Sequence, residues 1–447
     1  MTLSEISSLL NLPCTTELEL SGICIDSRKV VPGNLFIAIR GEHFDGHDFI
    51  NEAIKQGAVA VVCQQAFSNS DAVQLIVPDT VQALGSIAAH HRQKLDCEVI
   101  ALTGSNGKTT VKEMIAAILP QPSHATPGNL NNHLGVPLSV FKLQPAHRYA
   151  VFELGANHPG EIAHTVAIVK PQVTLINNIA PAHIEGFGSI EGVAHAKGEI
   201  HQGLAHHGTA VINDDDAYAH FWDPLLLNKK TLHFSATQEA DMQARETRFN
   251  EQGYAQFLLV TPQGEAPIQL QVPGLHNVRN ALAAAACTYA LGIGLPEIAA
   301  GLNQFSGVHS RMTVLPGKKQ AVVIDDTYNA NLRSVLTALD VLASYKGRRI
   351  FVFGDMGELG TWTQSHHEEV GLAARSHEID VLMTCGTHSH YTNQAFGAGG
   401  KHYSSQLELI QDLLPQLHAG TTVLVKGSRS AAMEKIVQQL VVTESGH

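Results

Sequence analysis

The stretch Val99-Ile100-Ala101-Leu102-Thr103-Gly104-Ser105-Asn106-Gly107-Lys108-Thr109-Thr110 decides how this chain is built. Its apolar half reads as a buried parallel strand, because short runs without polar alternation belong to strands covered on both faces. Its second half is a loop of small residues that opens a helix, predicted over 111–119 and closed by Pro120. Gly104 and Gly107 let the backbone curl so that N–H groups converge on anionic oxygens, and the helix adds its positive N-terminal end. Lys108 supplies a point charge, and Thr109 a hydroxyl of the kind that reaches magnesium. A full phosphate-binding loop carries glycine where this chain has Leu102, so the match is to the shorter form Gly-x-x-Gly-Lys-Thr. Strand, loop and helix together predict a nucleoside triphosphate site in an α/β protein. The competing reading of the same residues is a glycine-rich turn with a solvated lysine.

Outward from this loop, strand, loop and helix patterns repeat from Val99 to about Gly307, with clear strands at 149–152 and 173–176 and an alanine-rich helix at 277–291. Before it, strands at 35–39 and 58–62 flank a helix at 48–56, and a further helix near 79–95 leads into the loop strand. After it, 307–317 carries Gly, Ser and Pro and reads as a linker. A second α/β unit follows, with strands at 321–325, 349–353, 381–384 and 422–425. A chain of 447 residues exceeds one compact core and predicts several domains. There is no internal repeat or low-complexity tract.

Composition excludes several classes. A net charge of −12 argues against broad nucleic-acid binding, so an anionic ligand must be held by local Lys, Arg and N–H groups. No run is long enough to span a membrane, and Met1 to Leu12 lacks a secretory leader. The 6 cysteines are scattered without a Cys-x-x-Cys pair, as in a reducing cytoplasm, and the 26 histidines form no ligand array.

Glu153, His183 and Lys197 stand at or just beyond strand ends, where ligands bind in open α/β sheets. Singly they read as a helix cap, a loop histidine and a solvated lysine. Together with the loop they form a pattern. Thr103-Gly-Ser-Asn-Gly-Lys-Thr-Thr110, Glu153-Leu-Gly-Ala-Asn-His158, Asn178-Ile-Ala-Pro-Ala-His183, Ala196-Lys-Gly-Glu199 and Asp325-Asp-Thr-Tyr-Asn-Ala-Asn331 resemble, in this order, the Mur ligase family. Gly354-Asp-Met-Gly-Glu-Leu-Gly360 and Lys426-Gly-Ser-Arg429 resemble the branch that adds D-alanyl-D-alanine. The Asp-Asn-Pro-Arg string of the diaminopimelate-adding branch is absent.

The resemblance implies a cytoplasmic, monomeric α/β protein of three domains. These are a small UDP-binding domain (1–80), a central doubly wound, mostly parallel ATPase domain (81–311) and a Rossmann-like C-terminal ligase domain (312–447). It implies that ATP phosphorylates the terminal carboxylate of UDP-N-acetylmuramoyl-tripeptide and that the amine of D-Ala-D-Ala displaces the phosphate, with two magnesium ions as cofactors. Lys108, Lys197, His183 and Arg311 would be catalytic. Gly104, Ser105, Asn106, Gly107, Lys108, Thr109, Thr110, Asn280, Arg311, Asp326 and Tyr328 would hold the nucleotide, with Asn280 at adenine and Asp326 at ribose. Thr109, Glu153, His183 and a carbamylated Lys197 would ligate metal. Ser27, Arg28, Gly46 and His47 would recognise the UDP moiety, with a surface ion pair as the other reading of Arg28; Asn131 and Asn132 would face the muramoyl end, Asn329 the nucleotide or the dipeptide, and Ser428 and Arg429 the dipeptide. Arg311 follows Val-His-Ser rather than the usual glycine, and Leu332 stands where many relatives have proline. An ammonium 4 Å from a dication would cost about 8 kcal/mol at an effective dielectric near 20, which a carbamate turns into attraction. Domain closure about the linker implies an open form without ligands. Left open are another amide ligase of the superfamily, such as a folylpolyglutamate synthetase, and a nucleotide switch that would hydrolyse ATP without either peptide.

Overall fold

The computed structural model describes residues 1–13, 16–41, 43–68, 72–181 and 184–442. The apolar runs become the inner strands of three sheets. The first holds β1 (Gly22–Cys24), β2 (Asn34–Ile37), β3 (Ala60–Cys63) and β4 (Val73–Ile76), all parallel and in sequence order. Helix Thr80–Gln93, capped by the Asp79 carboxylate on the Val81 and Gln82 N–H groups, leads away from it. Its Ala83, Leu84 and Ile87 pack on this first sheet.

The second sheet contains β5 (Glu98–Thr103), β6 (Ser123–Ala125), β7 (Tyr149–Glu153), β8 (Val173–Ile176), β9 (Thr209–Asn213), β10 (Lys230–Ser235), β11 (Met242–Phe249), β12 (Tyr254–Thr261) and β13 (Gly264–Pro273). Their order is β13-β12-β11-β10-β9-β8-β5-β7-β6. Strand β5 lies between β8 and β7, so the phosphate loop leaves the sheet at its interior, where strand order reverses. Both faces are covered. Helices Lys108–Ile118 and Leu275–Ala290 build one core, and Glu161–Val169 and Ile190–Gly198 the other. The antiparallel ladder of β11, β12 and β13 was not anticipated, because 242–249 (Met-Gln-Ala-Arg-Glu-Thr-Arg-Phe) is mostly polar.

The third sheet runs β14 (Thr313–Pro316), β15 (Val322–Asp326), β19 (Thr421–Lys426), β16 (Arg348–Phe353), β17 (Val381–Cys385) and β18 (Gly400–Tyr403) across its width. It is parallel except for β14, an antiparallel edge strand on β15. This corrects the expectation of a plain linker over 307–317. Pro316 is tolerated because an edge strand need not donate on its outer side. Among the described residues, no helix is long and apolar enough to cross a membrane.

Candidate functional site

The helix after β5 starts at Lys108, three residues earlier than the pattern predicts, because Gly107 turns the chain at φ +77°. Lys108, Thr109 and Thr110 therefore form the first turn and line a cavity of about 480 Å³. A Cβ on Gly107 would lie 2.6 Å from Asn280 Oδ1 and 2.7 Å from Asn177 Nδ2, and Gly104 takes φ +151°. Ser105 donates from Oγ to the Ala180 carbonyl, and its Oγ accepts the Ala180 N–H. The Asn106 N–H donates to Asn178 Oδ1, and its carbonyl accepts from both Asn177 Nδ2 and Asn178 Nδ2. Loop and β8 terminus are thus fastened together.

Lys108 Nζ donates to the Gly104 carbonyl at 2.7 Å. Burial lowers its pKa, with Glu153 opposing the shift and Arg311 adding to it. Lys197 is 2% exposed, 5.9 Å from the centre of the Phe187 ring, and has no ion pair among the described residues. Burial, and secondarily the charge on Lys108, hold its pKa well below the usual ammonium value. Glu153, at the end of β7, accepts from Asn131 Nδ2 at 2.8 Å through Oε1, while Oε2 is buried without a partner among the described residues. That orphaned carboxylate oxygen, on the same cavity wall as the Thr109 hydroxyl, fits a hard divalent cation. The unmodified Lys197 amine contributes no oxygen. His183 lies outside the described residues.

The C-terminal sheet closes the cavity. Arg311 donates from Nη2 to Thr109 Oγ1 at 2.9 Å, and its guanidinium lies 4.0 Å from the centre of the Tyr328 ring. Its neighbours Ser310 (φ 60°) and Met312 (φ 53°) are both left-handed, a strained pairing for residues with side chains. Ser310 Oγ donates to Asp325, and the Met312 N–H donates to Asp326. Asp326 does line the cavity, but it is held in an ion pair by Lys426, which is 2% exposed and also donates to the Asn329 carbonyl. Asn331 Nδ2 donates to Asn106 Oδ1 at 2.7 Å, and Arg333 Nη1 to the Ile179 carbonyl at 2.6 Å. The expectation of an open form differs from this arrangement, in which these side chains join the two sheets across the cavity.

Asn280 bridges Asn177 Nδ2 and Asn277 Oδ1, so its carboxamide is already engaged beside the loop. Asn132 accepts the Gly135 and Leu134 N–H groups through Oδ1, shaping the turn it sits in. Asn131, Asn132 and Asn329 line the cavity; Ser27, Arg28, Gly46, His47, Ser428 and Arg429 do not. Arg28, 81% exposed, is forked onto Asp26 at 2.9 Å through both Nε and Nη2, and Ser27 Oγ donates to Glu52. His47 donates from Nδ1 to Asp45 at 2.6 Å, and its Nε2 accepts the Gln64 N–H. Gly46 packs so closely that a Cβ would come 2.7 Å from the Ile39 nitrogen. Ser428 is buried beside Ser430, whereas Arg429 is exposed opposite Glu434.

Sequence reasoning missed Lys426, Arg333 and Asn177 as wall residues, and His276, whose buried Nδ1 has no partner among the described residues. Burial lowers the His276 imidazole to about 4. The Lys426-Gly-Ser-Arg string pointed at the right strand end but at its last two residues rather than its first.

Three family descriptions match the chain: the Mur ligase family catalytic domain over 19–92, the Mur ligase middle domain over 102–288 and the Mur ligase glutamate ligase domain over 310–429. A relative from Escherichia coli (strain K12) named UDP-N-acetylmuramoyl-tripeptide–D-alanyl-D-alanine ligase is 43% identical, with 98% of each chain covered. A relative of the same name from Haemophilus influenzae is 42% identical over 95% of this chain and 94% of its own. The crystal structure of MurF from Acinetobacter baumannii superposes with a TM-score of 0.91 at 35% identity, covering 98% of both chains. That of the MurF ligase from Thermotoga maritima in complex with ADP gives 0.83 at 26% identity, covering 93% of this chain and 96% of the other. The full-length match, the order of its parts and the shared fold lead to one conclusion: the chain belongs to the Mur ligase family.

Proposed function

We propose that the chain joins D-alanyl-D-alanine to UDP-N-acetylmuramoyl-tripeptide in an ATP-dependent amide ligation, yielding UDP-N-acetylmuramoyl-pentapeptide, ADP and phosphate. The observation that carries this reading is a single cavity in which a phosphate loop, a buried carboxylate and a buried lysine without an ion pair among the described residues meet residues of the C-terminal sheet. The relatives named for this reaction support the choice of substrates.

In this scheme the tripeptide carboxylate attacks the γ-phosphorus, the bond to the bridging oxygen breaks and ADP leaves. The dipeptide amine then attacks the acyl carbon, and phosphate departs as the amide forms. Bringing carboxylate to phosphate gathers anions, so the site must be cationic where charge builds. Lys108 need only exchange the Gly104 carbonyl for phosphoryl oxygens, and Arg311 the Thr109 hydroxyl for the same group. Magnesium, when bound, offsets phosphoryl charge; Thr109 and Glu153 would hold one ion, and the sequence adds His183 for a second. Burial shifts Lys197 toward the free amine, the form that adds CO₂ and loses a proton as the carbamate forms. That carbamate supplies the missing oxygens. The buried walls exclude water from the acyl phosphate. On this reading 1–80 holds the UDP moiety, 81–311 the ATP and 312–447 the dipeptide, in a cytoplasmic monomer.

The test is incubation of the chain with UDP-N-acetylmuramoyl-tripeptide, D-Ala-D-Ala and Mg-ATP, with products read by mass spectrometry. Pentapeptide must appear, and phosphate release must require both peptides. A nucleotide switch would instead release phosphate from ATP alone.

A further inference from the structure

Asn331 belongs to the C-terminal sheet's loop, yet it is bonded to the phosphate loop of the central domain. Its position between the two can be traced atom by atom. It caps helix Leu332–Ser344: its Oδ1 accepts the Ser334 N–H at 3.0 Å, and Ser334 Oγ accepts the Asn331 N–H at 3.1 Å. A carboxamide whose oxygen is taken by a helix N–H has only its NH₂ to offer outward. That NH₂ donates to Asn106 Oδ1 at 2.7 Å. The Asn106 carboxamide is fixed in turn, with its oxygen toward Asn331 and its own Nδ2 turned away. The backbone of Asn106 has no freedom left, since its N–H and carbonyl are held by Asn177 and Asn178. Asn106 Nδ2 is buried in the cavity wall and has no acceptor among the described residues. A buried donor without a partner is costly, and it is satisfied when an anion enters the loop.

We propose that Asn331 is a positioning residue for the transferred phosphoryl group, acting through Asn106. Polarity passes in one direction, from the Ser334 N–H to Asn331, from Asn331 to Asn106, and from Asn106 Nδ2 to a phosphoryl oxygen. The last donor is aimed correctly only while the C-terminal sheet is docked on the loop, so docking completes the phosphate site. This rests on the ligase reading above and adds to it a residue from the opposite domain.

The test uses the full chain with all three substrates, and nucleotide binding measured separately by calorimetry with ADP. Asn331→Ser and Asn331→Asp both keep a capping side chain, so melting temperature should stay near the parent's; the Asp carboxylate has no hydrogen to donate to Asn106 Oδ1, and the Ser hydroxyl ends one bond short of the Asn331 Nδ2 that now reaches it. Both should lower kcat about tenfold while leaving KM for ATP and the ADP affinity within about threefold, a split that a loss of packing would not give. In an Asn106→Ala background, Asn331→Ser should cost nothing further, because its target is gone. The proposal is overturned if Asn331→Asp keeps kcat within twofold of the parent. It is equally overturned if Asn331→Ser costs its full factor in the Asn106→Ala background, or if ADP affinity falls along with kcat. Failure of the ligase reading would show separately, as absence of pentapeptide with the parent chain.

Discussion

In the cavity between the central and C-terminal sheets, Glu153 Oε2, Asn106 Nδ2 and Arg311 Nε are buried without partners among the described residues. On the N-terminal sheet, by contrast, Arg28 is forked onto Asp26, and both ring nitrogens of His47 are filled by Asp45 and Gln64. Both sets were chosen from sequence by resemblance. The first set has bonding capacity left for a ligand or ordered water in the cavity, because a buried polar atom left alone costs free energy. The second shapes a surface whose groups are already satisfied. A ligand at that surface must compete with internal bonds, and its contacts there are worth less than contacts in the cavity.

The comparison breaks most readily at Lys108. Lys108→Ala should lower the rate of peptide-dependent phosphate release about 10³-fold, since it removes a cation aimed at developing charge. A rate within tenfold of the parent would mean that the cavity is not where phosphate is transferred. Lys197→Ala should cost about 10²-fold, in the range found when support of a metal ligand is lost. Formate or acetate should restore part of that activity by replacing the carbamate oxygens; absence of rescue in an enzyme that needs no CO₂ would count against the modification. Arg28→Ala, on the other side of the comparison, should raise KM for the UDP-linked substrate a few-fold and leave kcat and melting temperature unchanged. A loss as large as that of Lys197→Ala would erase the distinction.

Acid stability separates the regions with the smallest effect. Burial holds the central-domain imidazoles of His124 and His201 at about 4, against an ordinary 6.5. They fold neutral, so their contribution is complete above pH 6.5 and is lost as pH falls toward 4. Asp45 is held at about 2, against 3.8, first by the His47 backbone N–H and then by the His47 and Arg40 side chains. Its contribution is present above pH 3.8 and disappears as pH falls through 2. His201→Gln should flatten the melting temperature between pH 6.5 and 4, and Asp45→Asn only below pH 4. Identical profiles for the two variants would refute the separation.

The buried strands were legible because parallel strands covered on both faces leave uninterrupted apolar runs, as at 99–103 and 350–353. The phosphate loop was legible because Gly107 and Lys108 are adjacent in sequence. The ladder β11 to β13 was not, since half-exposed strands with polar residues do not stand out from loops. Nor were the roles of Asn331 and Lys426. Asn331 meets Asn106 across 225 residues, and Lys426 meets Asp326 across 100, and no local pattern encodes such pairings. The resemblance places Arg28 among the contacts to the UDP-linked substrate. In the structure it makes a surface ion pair, because Asp26 is two residues away.

Gly107 carries one more consequence. Its left-handed φ strains any residue with a side chain, and a Cβ there would displace the hydrogen-bonded carboxamides of Asn280 and Asn177. An inhibitor seated against that spot would therefore lean on a position that resists substitution, so resistance would arise more readily elsewhere along the compound's footprint.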